Sequence, residues 1–100
     1  MEINIQFVKM PTSEFMEAFV IKELNKLAKK YEWIIKASVF YKQEKDPKGK
    51  GKICDIQLSL PGPIIVASSN EESFEEATDE TIRDLKILLK KRKGDMKPHI

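Results

Sequence analysis

The chain has 100 residues, of which 41% are hydrophobic, and its formal net charge is +2. This length predicts one domain, and this hydrophobic fraction excludes an intrinsically disordered chain. The single cysteine excludes an internal disulfide framework, and there is neither a secretory signal pattern nor an apolar run near the roughly 18 residues of a membrane span. We therefore expect a cytoplasmic protein with no membrane partner.

In chain order, the pattern first predicts a strand and a helix. Apolar residues alternate over residues 3–7, which is typical of a strand with one buried face. Either Thr12 or Ser13 can cap the following helix, which is predicted to extend to about Tyr31. The helix residues predicted to face the core recur at spacings of three and four: Met16, Val20, Leu24, Leu27 and Tyr31.

Three further strands are predicted after this helix. The β-branched and aromatic segment 33–45 predicts a long strand, which a Gly-containing and Pro-containing loop over 45–52 ends. Alternation over residues 52–60 predicts the next strand. A tight turn around Gly62 then leads into a short strand over residues 64–69.

A second helix completes the predicted order. A capping box of Ser73 with Glu76 marks its start, and it is expected to end near Lys93 with Gly94 as its C-cap. Residues 95–100 are predicted to form a flexible C-terminal tail. The residues of this helix predicted to face the core are Phe74, Thr78, Ile82, Leu85, Leu88 and Leu89.

The order β-α-β-β-β-α predicts an α+β fold for one domain over residues 1–94. A right-handed helical crossover makes the first two strands parallel, and the two hairpin-like connections make the remaining neighbours antiparallel. A four-stranded sheet with both helices packed on one face buries every apolar stripe. This layout is like that of a double-stranded-RNA-binding domain.

Charge is distributed unevenly along the chain. Residues 21–52 carry +6 and residues 82–100 carry +5, whereas residues 53–81 carry −7 and residues 1–20 carry −2. If folding brings the two basic stretches together, the protein has a basic patch that its small net charge conceals.

Both predicted helices carry basic residues opposite their apolar stripe. These are Lys22, Lys26, Lys29 and Lys30 on the first helix, and Arg83, Lys86, Lys90 and Lys93 on the last. With both helices on one sheet face, the two basic stripes would lie side by side and could bind a phosphate backbone. In the alternative interpretation these faces are only solvated, and the bases at the end of the last helix complement its dipole.

Two aromatic residues lie on or beside the lysine face of the first helix. Phe15 and Phe19 could stack on bases, as aromatic side chains near phosphates do. The structural alternative is that they wall the groove against a neighbouring helix.

No catalytic or metal-binding constellation is visible in the sequence. The only histidine, His99, is next to the C-terminus, where a positioned base is not expected. Cys54 alternates with apolar residues, as a buried and inert thiol does. One Cys and one His cannot make a structural zinc site. We therefore expect no enzyme activity, no metal, no cofactor and no small-molecule substrate.

Three stretches of the sequence resemble the short ribosome hibernation-promoting factors, also described as ribosome-associated inhibitors or sigma-54 modulation proteins. The segment "FVIKELNKLAKKYEWIIKASVFY" looks like the family's basic first helix and second strand, and "LSLPGPIIVASS" like its hairpin with a Pro-Gly turn. The segment "SFEEATDETIRDLKILLKKRK" looks like its last helix, and Phe74, Ala77 and Asp79 match the opening pattern. Thr78 departs from the pattern, because an aliphatic residue is usual there.

The resemblance implies a ribosome-associated translation inhibitor active in stress. It would bind rRNA of the small ribosomal subunit in the decoding region and block tRNA and mRNA access in idle ribosomes. The positions that match the family's rRNA-binding residues are Lys22, Lys26, Lys29, Lys30, Arg83, Lys86, Lys90, Lys91 and Lys93. We expect a monomer when the protein is free. The alternatives are a protein-interaction module with solvated basic helices and a generic double-stranded-RNA-binding domain.

Overall fold

The computed structural model describes residues 1–96 of the chain. Residues 97–100, which include His99 and most of the predicted tail, lie outside the described residues. The elements follow the predicted order: β1 (Glu2–Phe7), α1 (Glu14–Lys30), β2 (Lys36–Gln43), β3 (Lys52–Ser59), β4 (Ile65–Glu71) and α2 (Phe74–Met96).

The four strands form one mixed sheet in the order β1-β2-β3-β4. β1 pairs in parallel with β2, and β3 is antiparallel to both β2 and β4, which confirms the predicted pairing. α1 connects two parallel strands and so runs against them. β4 runs in the same direction as β2, and α2, which follows β4, runs antiparallel to it. The two helices therefore run in the same direction, with their carboxyl ends at one end of the molecule.

One hydrophobic core lies between the sheet and the two helices, which confirms that both pack on one face. From the sheet, Val39, Ile56 and Leu58 are completely buried, and they meet Leu24 of α1 and Leu85 of α2 in the same cluster. Burying each such aliphatic side chain stabilises the fold by about 1.5–3 kcal/mol. The other face of the sheet bears mainly polar residues, with Phe40 and Ile53 among them, and all of these remain partly or fully exposed, so burial fixes which way each strand faces.

Serine side chains cap both helices at their starts. The Ser13 Oγ accepts a hydrogen bond from the Met16 N–H at 3.2 Å, so Ser13 rather than Thr12 is the cap of α1. The Ser73 Oγ accepts from the Glu76 N–H at 3.1 Å, which forms one half of the predicted capping box. Each bond satisfies a backbone donor that the helix itself leaves unpaired.

The predicted end of α2 at Gly94 is wrong, because α2 continues through Gly94 to Met96. Gly94 does not adopt the left-handed conformation that a C-cap requires, and a helical glycine costs only about 1 kcal/mol relative to alanine. Asp95 and Met96, which the prediction assigned to the tail, are therefore helical.

Three other sequence predictions need correction. β2 begins at Lys36 rather than residue 33, because Tyr31 ends α1 and residues 32–35 make the turn into the strand. β4 continues to Glu71 rather than ending at Ser69. Leu88 was predicted to be buried, but it is 37% exposed. It lies beside β4, which is an edge strand, so no further strand among residues 1–96 covers it.

A small polar network lies inside the core. The Thr78 hydroxyl donates its one proton to the Phe74 carbonyl at 2.7 Å. The Thr78 Oγ1 can therefore only accept from Tyr41, and the Tyr41 hydroxyl is the donor of the 2.8 Å hydrogen bond between them. The Thr81 hydroxyl donates to the Cys54 carbonyl at 3.0 Å. Thr78 thus contributes a hydrogen bond between helix and sheet where an aliphatic residue would contribute only packing.

We expect the protein to lose stability at alkaline pH. Burial raises the pKa of the Cys54 thiol from its ordinary value of 9.0 to about 11, and burial likewise raises the pKa of the Tyr41 phenol above its ordinary value. The unfolded chain releases these protons at lower pH than the folded protein, so rising pH favours unfolding. Through Cys54 alone, the free energy of unfolding should fall by roughly 2–3 kcal/mol between about pH 9 and 11.

Urea titrations followed by circular dichroism across this pH range would measure the loss. Cys54→Ala is the matched control, since it removes the thiol and should flatten the decline. A free energy of unfolding that stays constant up to about pH 11 would contradict the buried, protonated thiol.

Candidate nucleic-acid interface

A groove runs between α1 and α2 on the side of the helices that faces away from the sheet. It holds about 420 Å³, and basic side chains from both helices line it. We call it the inter-helix groove and define it by its lining residues: Lys26, Leu27, Lys30, Tyr31, Lys86, Ile87 and Lys90. The groove continues towards the carboxyl ends of the helices, where Lys93 and Gly94 join Lys30 and Lys90.

The floor of the groove is apolar and its rims are cationic. Leu27 and Tyr31 are almost fully buried, so they form a firm base beneath the lysines. The Lys30 Nζ lies 5.6 Å from the centroid of the Tyr31 ring, a cation–π distance that holds the lysine beside the groove. Trp33 in turn packs edge-on against Tyr31, with ring centroids 5.6 Å apart, and fixes the ring.

The lysines of the groove have few acidic partners. Lys26 pairs with Glu23 at 3.0 Å, and neither Lys30 nor Lys86 nor Lys90 takes part in an ion pair within residues 1–96. Like charges four residues apart on a helix destabilise it by about 0.2–0.5 kcal/mol, and both Lys26–Lys30 and Lys86–Lys90 have that spacing. An anionic ligand in the groove would relieve this repulsion.

Four predicted site residues lie outside the groove. Lys22 and Lys29 line the outer flank of α1, beside Lys26. Arg83 lies among acidic side chains at the amino-terminal half of α2, namely Glu71, Glu76, Asp79 and Glu80. Lys91 is exposed on α2 but does not line the groove. The structure therefore brings together Lys26, Lys30, Lys86, Lys90 and Lys93.

The acidic stretch of the sequence neutralises a different set of lysines. Lys42 pairs with Asp55 at 2.8 Å, and Lys50 pairs with Glu71 at 3.6 Å. A hydrogen bond with Glu80 holds the pKa of Glu71 below its ordinary value and raises that of Glu80. These acids therefore act at the β2–β3 loop and at the start of α2, away from the inter-helix groove.

Sequence reasoning missed the position of Ile87 in the groove and the role of Arg92. Ile87 lies between two groove lysines and is 64% exposed. It falls outside the apolar spacing of α2, so the sequence pattern did not indicate a role for it. The Arg92 Nη1 donates to the Pro61 carbonyl at 3.0 Å, so this guanidinium holds the β3–β4 turn against α2. The contact was not visible in the sequence because 31 residues separate the two positions.

Phe15 and Phe19, which we call the aromatic pair, differ in exposure. Phe19 is half-buried and packs against the core, while Phe15 is 61% exposed. Their ring centroids are 6.3 Å apart and their planes are inclined by 30°. Phe19 is therefore a packing residue of the core, and neither ring lines the inter-helix groove.

The described part of the chain shows neither a metal-binding cluster nor a membrane-spanning helix. Among residues 1–96, no cluster of three or more His, Cys, Asp or Glu side chains could hold a metal ion. No helix within the same residues is long and apolar enough to cross a bilayer.

The chain is similar to a known family and to solved structures. The model of the family described as "Sigma 54 modulation protein / S30EA ribosomal protein" matches residues 3–97. A ribosomal subunit interface protein from Coxiella burnetii is 22% identical with a TM-score of 0.81, over 94% of this chain and 99% of that chain. The N-terminal domain of Protein Y from Thermus thermophilus is 20% identical with a TM-score of 0.77, over 91% of this chain and 98% of that chain. No curated protein matches the chain.

Proposed function

Because the chain belongs to the sigma 54 modulation protein / S30EA ribosomal protein family, whose members are ribosome-associated factors rather than enzymes, we propose that it is a translation inhibitor. It binds rRNA of the small ribosomal subunit in the decoding region. There it blocks tRNA and mRNA access in idle ribosomes. It works in the cytoplasm, as a monomer when free.

The observation that carries this proposal is the inter-helix groove. Two helices that are 56 residues apart in sequence, counted from Lys30 to Lys86, contribute lysines to one surface. The Lys-rich rims fit phosphates, and of the groove lysines only Lys26 has an acidic partner, Glu23, within residues 1–96. Lys93 extends the surface, and Lys22, Lys29, Arg83 and Lys91 contribute from its margins.

The mechanism is steric and involves no chemical step. The molecule measures 52 × 26 × 18 Å, so bound in the decoding region it would occupy a large volume of the tRNA and mRNA path. Duplex rRNA exposes phosphates and 2′-hydroxyls rather than a readable major groove. Recognition would therefore follow the shape and backbone of the rRNA rather than its sequence.

Binding to the small subunit should depend strongly on salt. Four groove lysines that each neutralise one phosphate predict a slope of about −2.8 to −3.6 in a plot of log affinity against log salt concentration, and marginal contacts would steepen it. Cosedimentation of the purified protein with small subunits at several potassium chloride concentrations measures this slope. A slope near zero would contradict phosphate contacts.

Competition separates the proposed function from its alternatives. Free duplex RNA should compete only weakly with the small subunit, because the decoding region offers a specific rRNA shape. Equal competition would identify a generic double-stranded-RNA-binding domain. If the protein does not bind the subunit at moderate salt, the remaining interpretation is a protein-interaction module with solvated basic helices. Inhibition of translation in a purified system should parallel subunit binding.

A further inference from the structure

The aromatic pair is a feature of α1 that the groove does not explain. Phe15 keeps 61% of its surface exposed, although burying a phenylalanine is worth about 1.5–3 kcal/mol. Phe19 packs behind it, with ring centroids 6.3 Å apart. This distance is within the range of aromatic contacts, so the half-buried ring supports the exposed one from behind.

The aromatic pair continues the basic stripe of α1. Lys22 and Lys26 follow Phe15 by seven and eleven residues, which places each of them within about 20° of Phe15 around the helix, on either side of it. The first-turn acids Glu14 and Glu17 point to other sides of the helix, about 100° or more from Phe15. Along the axis, Phe15 lies about 16 Å from Lys26, a distance that about five nucleotides of a strand cover.

We propose that the aromatic pair is a stacking site for an unpaired RNA base at the amino-terminal end of the basic stripe. This inference rests on the proposed function and adds a second mode of contact to it. The lysines hold the phosphates of the RNA, and the exposed face of Phe15 takes one base beyond them. Because every base has a π-face, the site selects single-stranded over paired RNA rather than one sequence.

A matched set of substitutions tests the stacking. Phe15→Ala should weaken binding to the small subunit by about fivefold or more, because loss of one base–aromatic stack is of that size. Phe15→Leu keeps an apolar side chain without a π-face and should weaken binding similarly. Phe15→Trp should preserve it. The salt slope should be unchanged in all three, since stacking releases no counterions.

Ile64→Ala provides the control for exposed apolar area. Ile64 is 57% exposed at the β3–β4 turn, away from the stripe, and its loss should leave subunit affinity unchanged. Phe15→Trp also gives a direct readout. A single-stranded RNA of about twelve nucleotides should quench its fluorescence, relative to the parent protein with Trp33 alone, more than the same RNA in a duplex does.

The outcomes distinguish this inference from the proposed function. If Phe15→Leu binds subunits as tightly as the parent protein, the contact is apolar packing and the inference is overturned. If Phe15→Ala has no effect while the parent protein binds with the expected salt slope, the proposed function stands without the stacking site. If the parent protein does not bind subunits, the proposed function fails, and the inference is then tested by the fluorescence of the Phe15→Trp variant. If single-stranded RNA does not quench that fluorescence more than duplex RNA does, the inference is overturned.

Discussion

Reversing the charges of Lys86 and Lys90 together is expected to lower the affinity for the small ribosomal subunit by at least about 100-fold. Each lysine supplies a charge-assisted contact worth about 1.5–3 kcal/mol, and a factor of ten corresponds to 1.4 kcal/mol. The substituted glutamates would also repel neighbouring phosphates. The salt slope should become shallower by about 1.4–1.8, since two phosphate contacts are lost. Cosedimentation over a range of salt concentrations measures both effects.

Lys45→Glu with Lys48→Glu is the matched control. Both residues are exposed on the β2–β3 loop, at the opposite end of the molecule from the carboxyl ends of the helices. This double variant changes the net charge by the same amount, so it separates a local contact from a general electrostatic attraction. Equal losses of affinity in the two double variants would contradict binding through the inter-helix groove. Circular dichroism should show native helix content in both.

Replacing Tyr41 by alanine is expected to destabilise the fold by about 3–5 kcal/mol, as truncation of a fully buried aromatic side chain does. Tyr41 is 0% exposed and is the largest completely buried side chain of the described residues. Its ring stacks on Phe7 at 5.1 Å and meets the edge of Phe74 at 5.5 Å, so it joins β1, β2 and the start of α2. Urea denaturation followed by circular dichroism measures the change.

Tyr41→Phe separates the hydroxyl from the ring. The Thr78 hydroxyl keeps its bond to the Phe74 carbonyl in this variant, so no buried donor loses its partner. The loss should therefore be only about 0.5–1.5 kcal/mol, the net value of one hydrogen bond. Similar losses for Tyr41→Phe and Tyr41→Ala would show that the polar network, and not the packing of the ring, stabilises this region.

Local patterns predicted the fold well because one buried face dominates each element. Alternation in β3 and the three-and-four spacing in α1 correspond to the burial that the structure shows, and Ser13 caps the helix as a serine there should. The errors occur where a distant element decides the outcome. Leu88 has the spacing of a core residue, but its exposure depends on β4 being the sheet edge. The extent of α2 beyond Gly94 depends on backbone geometry that composition does not fix.

The lysines of the candidate site were predicted from helical periodicity, whereas contacts made by other elements were not. Helical periodicity placed Lys26 and Lys86 on the outer faces of their helices, and the sheet topology then made those faces neighbours. Helical spacing does place Asp79 and Glu80 one turn from Arg83, but periodicity could not show that Glu71 of β4 joins them. Nor could net charge show that Lys50 is paired with Glu71, since strand register decides that contact.

The common direction of α1 and α2 affects where an anion would settle. Each helix has a partial negative charge of about half an elementary charge at its carboxyl end, and here both negative poles lie at the same end of the groove. Lys30 and Lys93 belong to the last turns, so part of their charge offsets these poles. Because Glu23 already pairs with Lys26, the positive potential should be greatest near Lys86 and Lys90, and the RNA backbone should be held most tightly at the middle of the groove.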